Sequence, residues 1–341
     1  MISPLISGVI CRGTLAIVMF SVMAAAPPAM GQDTHILVIT GLGGDPAYSE
    51  RFMEWGSTLV AAAGDKFGLP ADHIIYLGED PAADPRIQDR STRENVDRAF
   101  AKLVSNSQPG DHIFVVLIGH GSYTAGQSRF NLPGPDLSAE DFALYLDQLS
   151  GRRVAFVNLA SASGEFVKVL SGDGRTIVTA TRTGRERNET IFGGYFVDAF
   201  TGELADLNKD GRVSVWEAFE FARTEVTREY ETSNLIATEH PVLDDNGDGE
   251  GSTELVDAAD GDLARTMFLA ADPTLAAARA TDDPELRALL EQKADVERRI
   301  EALLALRDQI DQDRYENELE ELLVELALTN REVEARTGGN E

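Results

Sequence analysis

The chain has 341 residues, a formal net charge of -28 at pH 7, five histidines and one cysteine. So acidic a molecule would repel nucleic acid and an anionic membrane surface, which excludes both as partners. The one cysteine, Cys11, falls in a segment that reads as a leader, so no thiol remains afterwards for a nucleophile, a disulfide or a thiolate metal site.

In that segment Arg12 precedes the apolar run TLAIVMFSVMAAA and then PPAMG, with Ala29 and Gly31 spaced as a signal-peptidase site. Residues 1–31 read as a secretion signal cut before Gln32, which implies a periplasmic or secreted protein. A membrane anchor is the rival reading. The run at 14–26 is shorter than the about 20 apolar residues a spanning helix needs, and no later stretch is long enough. No stable membrane span is expected after processing. The remaining chain is long enough to bury a core without disulfides in an oxidising compartment.

From residue 32 onward, short apolar runs alternate with amphipathic ones. HILVIT (35–40), HIIYL (73–77), HIFVVLIG (112–119), VAFVNL (154–159) and TIVTAT (176–181) are β-branched and apolar on both faces, as strands covered on both sides are. RFMEWGSTLVAAAGDKF, TRENVDRAFAKLVSN and SAEDFALYLDQL lie between them with helical periodicity. Strand and helix in repetition predict an α/β domain over 32–205 with a mostly parallel sheet and right-handed crossovers. In such sheets, chemistry sits on the loops after the carboxyl ends of the strands.

Two of those ends carry chemistry. The third run leads into His120, Gly121 and Ser122, and the fourth into Ala160, Ser161, Ala162, Ser163 and Gly164. Neighbouring strands lie roughly 5 Å apart, so an imidazole and a hydroxyl would meet at the rim, as a base and its nucleophile must. The Gly121 amide is placed to donate to an oxyanion.

These residues resemble the legumain family of asparaginyl peptidases and, more distantly, the caspases. The resemblance covers roughly residues 34–200: a first strand followed by Tyr48 and Arg51, a strand ending in His-Gly-Ser, and a strand ending in a motif of the form Ala-Cys-Glu-Ser-Gly. It implies a caspase-type sheet, His120 as base, Ser161 at the nucleophile position, the Gly121 amide in the oxyanion hole, and Arg51 gripping a polar or acidic substrate side chain through its planar fork of donors. A surface arginine on the helix is the other reading of Arg51.

This chain departs from the family at the nucleophile itself. Ser161 stands at the cysteine position, Ala162 at the acidic neighbour, Leu159 where a glutamate precedes, and Gly119 where an aspartate precedes the histidine. A serine hydroxyl ionises far less readily than a thiol, and Ser-His pairs usually rely on a third group to orient the imidazole. Ser49 lies about where the family has an asparagine in that role. The loop TRTGRERNE (181–189) places Arg182, Arg185 and Arg187 where related enzymes build the cleft rim, or on a solvated loop.

Residues 206–280 form an acidic extension. DLNKDGRVSVWE (206–217) places Asp206, Asn208, Asp210, the backbone of Arg212, Ser214 and Glu217 at positions 1, 3, 5, 7, 9 and 12 of an EF-hand-type loop, with Gly211 at 6. This pattern calls for Ca2+, with GGYFVDAFTGEL and VWEAFEFARTEVTREY as flanking helices; a metal-free acidic turn is the alternative. DDNGDGEGSTE (244–254) repeats the core with Asp244, Asn246, Asp248 and Gly249, but its twelfth position is Leu255, so a weak site and a plain loop both remain open. His35, His73, His112 and His240 read as packing or capping residues.

Over 281–336, Leu289, Val296, Ile300, Leu303, Ile310, Leu319, Leu322, Leu326 and Val333 fall near heptad spacing, broken around 311–314. This predicts a helical hairpin or interrupted coiled coil that docks on the α/β domain or self-associates. A disordered tail is expected at 337–341.

Two function classes follow. One is a catalytically degenerate, calcium-stabilised, exported legumain-like protein that binds a peptide or protein partner. The other is an active peptidase or hydrolase using His120, Ser161 and the Gly121 amide.

Overall fold

The computed structural model describes residues 32–209, 211–255, 259–305 and 311–338. The leader at 1–31, Asp210 and the end of the expected tail lie outside the described residues. No helix among the described residues is long and apolar enough to cross a membrane.

In chain order, β1 (Thr34–Thr40) runs through α1 (Pro46–Ala61) to β2 (Ile74–Gly78) and the short β3 (Asp89–Arg90). Then α2 (Arg93–Asn106) leads to β4 (His112–Ile118), and a small antiparallel sheet follows from β5 (Gly121–Thr124), β6 (Gln127–Phe130) and β7 (Leu137–Ser138). The chain continues through α3 (Ala139–Leu146), β8 (Arg153–Asn158), α4 (Glu165–Leu170), β9 (Arg175–Thr179), α5 (Phe192–Thr201), α6 (Val215–Thr232) and β10 (Val242–Asp244). The helices α7 (Pro273–Ala280), α8 (Pro284–Ala305) and α9 (Gln312–Thr337) close it.

The main sheet has the order β10-β9-β8-β4-β1-β2-β3, parallel throughout except for β10 at one edge. Every residue of β1 and β4 is buried, because helices cover both faces. Side chains alternate between the two cores: Ile36 and Val38 pack with α1, α5 and α6, while Leu37 and Ile39 pack with α2 and α3. On the second face Phe142 contacts the rings of Phe100, Tyr145, Phe156 and Phe166 at centroid distances of 5.2 to 6.3 Å. Full burial of one such side chain contributes about 1.5–3 kcal/mol.

Caps set the helix starts. Thr92 accepts from the Asn95 amide ahead of α2, and Ser138 and Asp141 form a reciprocal capping box for α3. The order of strands reverses at β1, since β2 lies on one side of it and β4 on the other, so the crevice above the β1 and β4 ends is the natural ligand position.

The last two helices pack as an antiparallel hairpin around Val296, Leu303, Tyr315 and Leu322. Arg336 near the end of α9 pairs with Asp283 just before α8, and Arg299 reaches Glu325 at 3.0 Å. Asp311 caps α9 by accepting from the Arg314 amide, which is where the heptad register breaks.

Candidate functional site

Leu117 of β4 is opposite Asn158 of β8, so Gly119–His120 and Leu159–Ala160–Ser161 leave the sheet side by side. The two residues share a cavity of about 10 Å³, room for at most one water, with Arg51, Phe52, Trp55 and Glu189 around it. Among the described residues no hydrogen bond joins His120 to Ser161.

The turn after β8 is tightly determined. Asn158 Oδ1 accepts from the Ala160 amide at 3.1 Å and bends the chain out of the strand. Ala162 then adopts φ +55°, a left-handed conformation that costs a non-glycine residue on the order of 1 kcal/mol. Two bonds hold it there: its amide donates to Glu186 O at 2.7 Å, and Ser128 Oγ donates to its carbonyl at 2.6 Å. The Ser163 and Gly164 amides both donate to Thr181 Oγ1, at 2.8 and 3.1 Å. A Cβ on Gly164 would stand 2.2 Å from the Arg182 backbone, so only glycine fits.

Gly121 opens β5 at an equally close approach, since a Cβ there would lie 2.1 Å from the Ser161 carbonyl oxygen. The Asn131 amide donates to His120 O at 3.0 Å, which makes Gly121 and Phe130 the next, non-hydrogen-bonded pair of the ladder. The Gly121 amide therefore points away from β6, at the open edge of the small sheet.

His120 is boxed edge-on by Tyr48 and Phe52, at ring distances of 4.6 and 5.0 Å. Burial lowers its pKa, and smaller opposing contributions come from Glu189 and from the nearby Gly43 backbone. That burial favours the neutral imidazole. Ser49 takes no part in orienting the ring, because its hydroxyl donates to Glu79 Oε2 at 2.7 Å.

Arg51 forms an ion pair with Glu189, and the Tyr48 hydroxyl donates to the same carboxylate at 2.9 Å. That bond raises the Tyr48 pKa. The guanidinium expected to grip a ligand is therefore held by the chain's own acidic side chain. Of the loop arginines, Arg182 donates to Thr253 Oγ1 at 2.7 Å and Arg187 to Tyr123 O at 2.9 Å, so they fasten the rim. Beneath it, Glu239, 2% exposed and with its pKa raised by burial, accepts from the Ile191 and Phe192 amides at the start of α5. Beyond Phe52 a second cavity of about 620 Å³ opens at the ends of β1 and β2, floored by Met53 and Ile87 and rimmed by Glu50, Glu79, Asp80 and Arg90.

In the acidic loop, Asp206 Oδ2 accepts from the Gly211 amide at 2.9 Å, and Gly211 has φ +85°. Glu217, 2% exposed, reaches back from α6: Oε1 accepts from the Leu207 and Asn208 amides, and Oε2 from the Ser214 amide and hydroxyl. Both carboxylates thus tie the backbone of the same loop, next to the bridge between Ser214 and Phe268. Among the described residues no three Asp, Glu, His or Cys side chains cluster as a metal site; Asp210 lies outside them.

Sequence reasoning missed Gly43, Glu189 and Thr181. The run Gly41-Leu42-Gly43-Gly44 after the first strand was the available signal for the first; the other two begin and end the loop TRTGRERNE (181–189), in which only the arginines stood out. No protein-family model matches the chain, and no curated protein matches it either. Among solved structures, one titled "Crystal Structure of drICE" aligns at 10% identity over 64% of this chain and 89% of that chain, with a TM-score of 0.37.

Proposed function

We propose that this chain is an exported, legumain- or caspase-like member of the peptidase families whose cleft binds a peptide or protein segment without cleaving it. One observation carries the reading: the imidazole and hydroxyl at the paired strand ends share no hydrogen bond, while Arg51 is already committed to Glu189. Without a base hydrogen-bonded to it, a serine hydroxyl stays protonated and a poor nucleophile at neutral pH. The about 620 Å³ cavity beside Phe52 supplies a place for a ligand side chain next to that rim.

A second reading has its own support. His120 and Ser161 line one small cavity, burial favours the neutral imidazole that a general base must be, and the Gly121 amide faces an open edge. Under that reading His120 takes the proton from Ser161 Oγ as it attacks a carbonyl carbon, and returns it to the leaving group. Treating the mature protein with a serine-reactive fluorophosphonate separates the two. The binding reading expects no label on either wild type or Ser161→Ala; labelling of wild type alone would overturn it.

Calcium belongs to the same proposal. The spacing of oxygen-bearing residues in the acidic loop at 206–217 supports a hard cation, which Asp206, Asn208, Asp210, the Arg212 carbonyl, Ser214 and Glu217 would hold. A bound ion would brace the junction between α5 and α6 and take no part in bond cleavage. At about ten times its dissociation constant it would add roughly 1.4 kcal/mol to the folded state.

A further inference from the structure

The acidic turn that follows β10 lies away from the cleft. Antiparallel pairing sets Asp244 opposite Ile177, toward the start of β9, with the Asp244 side chain fully buried. One of its oxygens, Oδ1, accepts from the Gly247 amide at 3.2 Å. The other, Oδ2, is buried without a hydrogen-bond partner, and so is the Ser171 hydroxyl. Ser171 is the side chain that faces this carboxylate, yet no properly aligned hydrogen bond joins the two oxygens. Asp260 and Asp248, both negative, lie near enough to act on the Asp244 carboxylate. A cation would match the carboxylate oxygen that the chain itself leaves without a donor.

The turn has the shape to receive one. Gly247 and Gly249, at φ +83° and +77°, curl it over the loop that carries Ser171, with Gly249 in contact range of Ser171 and Lys168 backbone. Asn246 and Asp248 present amide and carboxylate oxygens along the same turn, joined to each other at 2.8 and 3.1 Å. Asp248 Oδ1 also accepts from the Glu250 amide at 2.7 Å, and Asp260 accepts from the Asp245 amide and the Ser252 hydroxyl and buttresses the turn from behind.

We infer that this turn is a second, weak divalent-cation site, in which Asp244, Asn246 and Asp248 with the Ser171 hydroxyl ligate calcium. The inference stands apart from the cleft reading and from the loop at 206–217. Two carboxylates with neutral oxygens suit calcium, which tolerates irregular oxygen shells, better than magnesium, which demands a near-octahedral one; so few charges place affinity at about 10⁻⁴ to 10⁻³ M.

The test uses the full mature chain carrying Glu217→Gln, which removes the closing carboxylate of the first loop. Thermal melts in chelator and in millimolar calcium are compared for that protein and for the same protein with Asp248→Asn or Asp244→Asn added. Calcium is expected to raise the melting temperature of the Glu217→Gln protein by a few degrees, and either added substitution should abolish the rise. Because Asp248 is exposed, its variant should melt in chelator at the parent's temperature, which separates lost ligation from lost folding. No calcium-dependent rise in the Glu217→Gln protein would overturn the inference, as would an equal rise in both double variants.

Discussion

His112 opens β4 and is 6% exposed, with Arg153, Arg298 and Asp111 acting on it and the Gln32 side chain against its ring. Burial, aided by the two guanidinium groups, pushes its pKa down to about 3. Because the folded value lies below the unfolded one of about 6.5, the neutral ring's contribution is complete above about pH 6.5 and is lost as pH falls toward 3. Each pH unit inside that window costs about 1.4 kcal/mol, so acidifying from about pH 7.5 to about 5 removes roughly 2 kcal/mol through this residue. His73, whose pKa burial also lowers, acts in the same direction but is common to both proteins compared. Urea unfolding of wild type and His112→Gln at the two pH values isolates the effect, since the many carboxylates titrate alike in both. Wild type should lose roughly 2 kcal/mol more than the variant on acidification. Equal losses in the two proteins would show that His112 is not buried as a neutral base, and the reasoning would fail.

At the site, Gly121→Ala and Gly164→Ala each drive a Cβ to within 2.2 Å of backbone atoms, so both should lower the melting temperature sharply; near-native melts by calorimetry would refute the packing described. Glu189→Gln breaks the pair with Arg51, and peptides bearing an acidic side chain should bind more tightly to it than to wild type by fluorescence polarisation, whereas unchanged binding would remove Arg51 from the cleft. Phe142→Ala empties a five-ring cluster and should cost about 3–5 kcal/mol in chemical denaturation. Leu322→Ala, 3% exposed in the core of the α8–α9 hairpin, should cost about 2–5 kcal/mol of hairpin stability, read as earlier melting of helical circular dichroism.

Much of the scaffold was legible from residue pattern alone. The five apolar runs became β1, β2, β4, β8 and β9 with ends moved by one or two residues, because burial on both faces demands continuous β-branched sequence that no other element uses. The amphipathic segments became α1, α2 and α3 for the matching reason, a 3.6-residue apolar stripe. The β5–β6 hairpin was not foreseen: its two-residue turn is Ala125-Gly126, both at positive φ, and alanine there carries none of the Asn-Gly signal that usually marks such a turn. β10 escaped notice because three residues carry no periodicity; it is a strand only because the edge of β9 offers it hydrogen bonds.

Sequence by itself determined which residues stand at the strand ends, His120 and Ser161 among them, since strand boundaries follow from local hydrophobicity. Tertiary structure alone decided what those residues do with each other. Glu189 reaches Arg51 across 138 positions of chain, and the ring of His120 packs edge-on against Tyr48 and Phe52. Thr181 and Ser128 lock the turn around Ala162 from two other elements. Such contacts depend on loop paths fixed by the summed packing of the whole core, and no local rule of spacing or propensity encodes them.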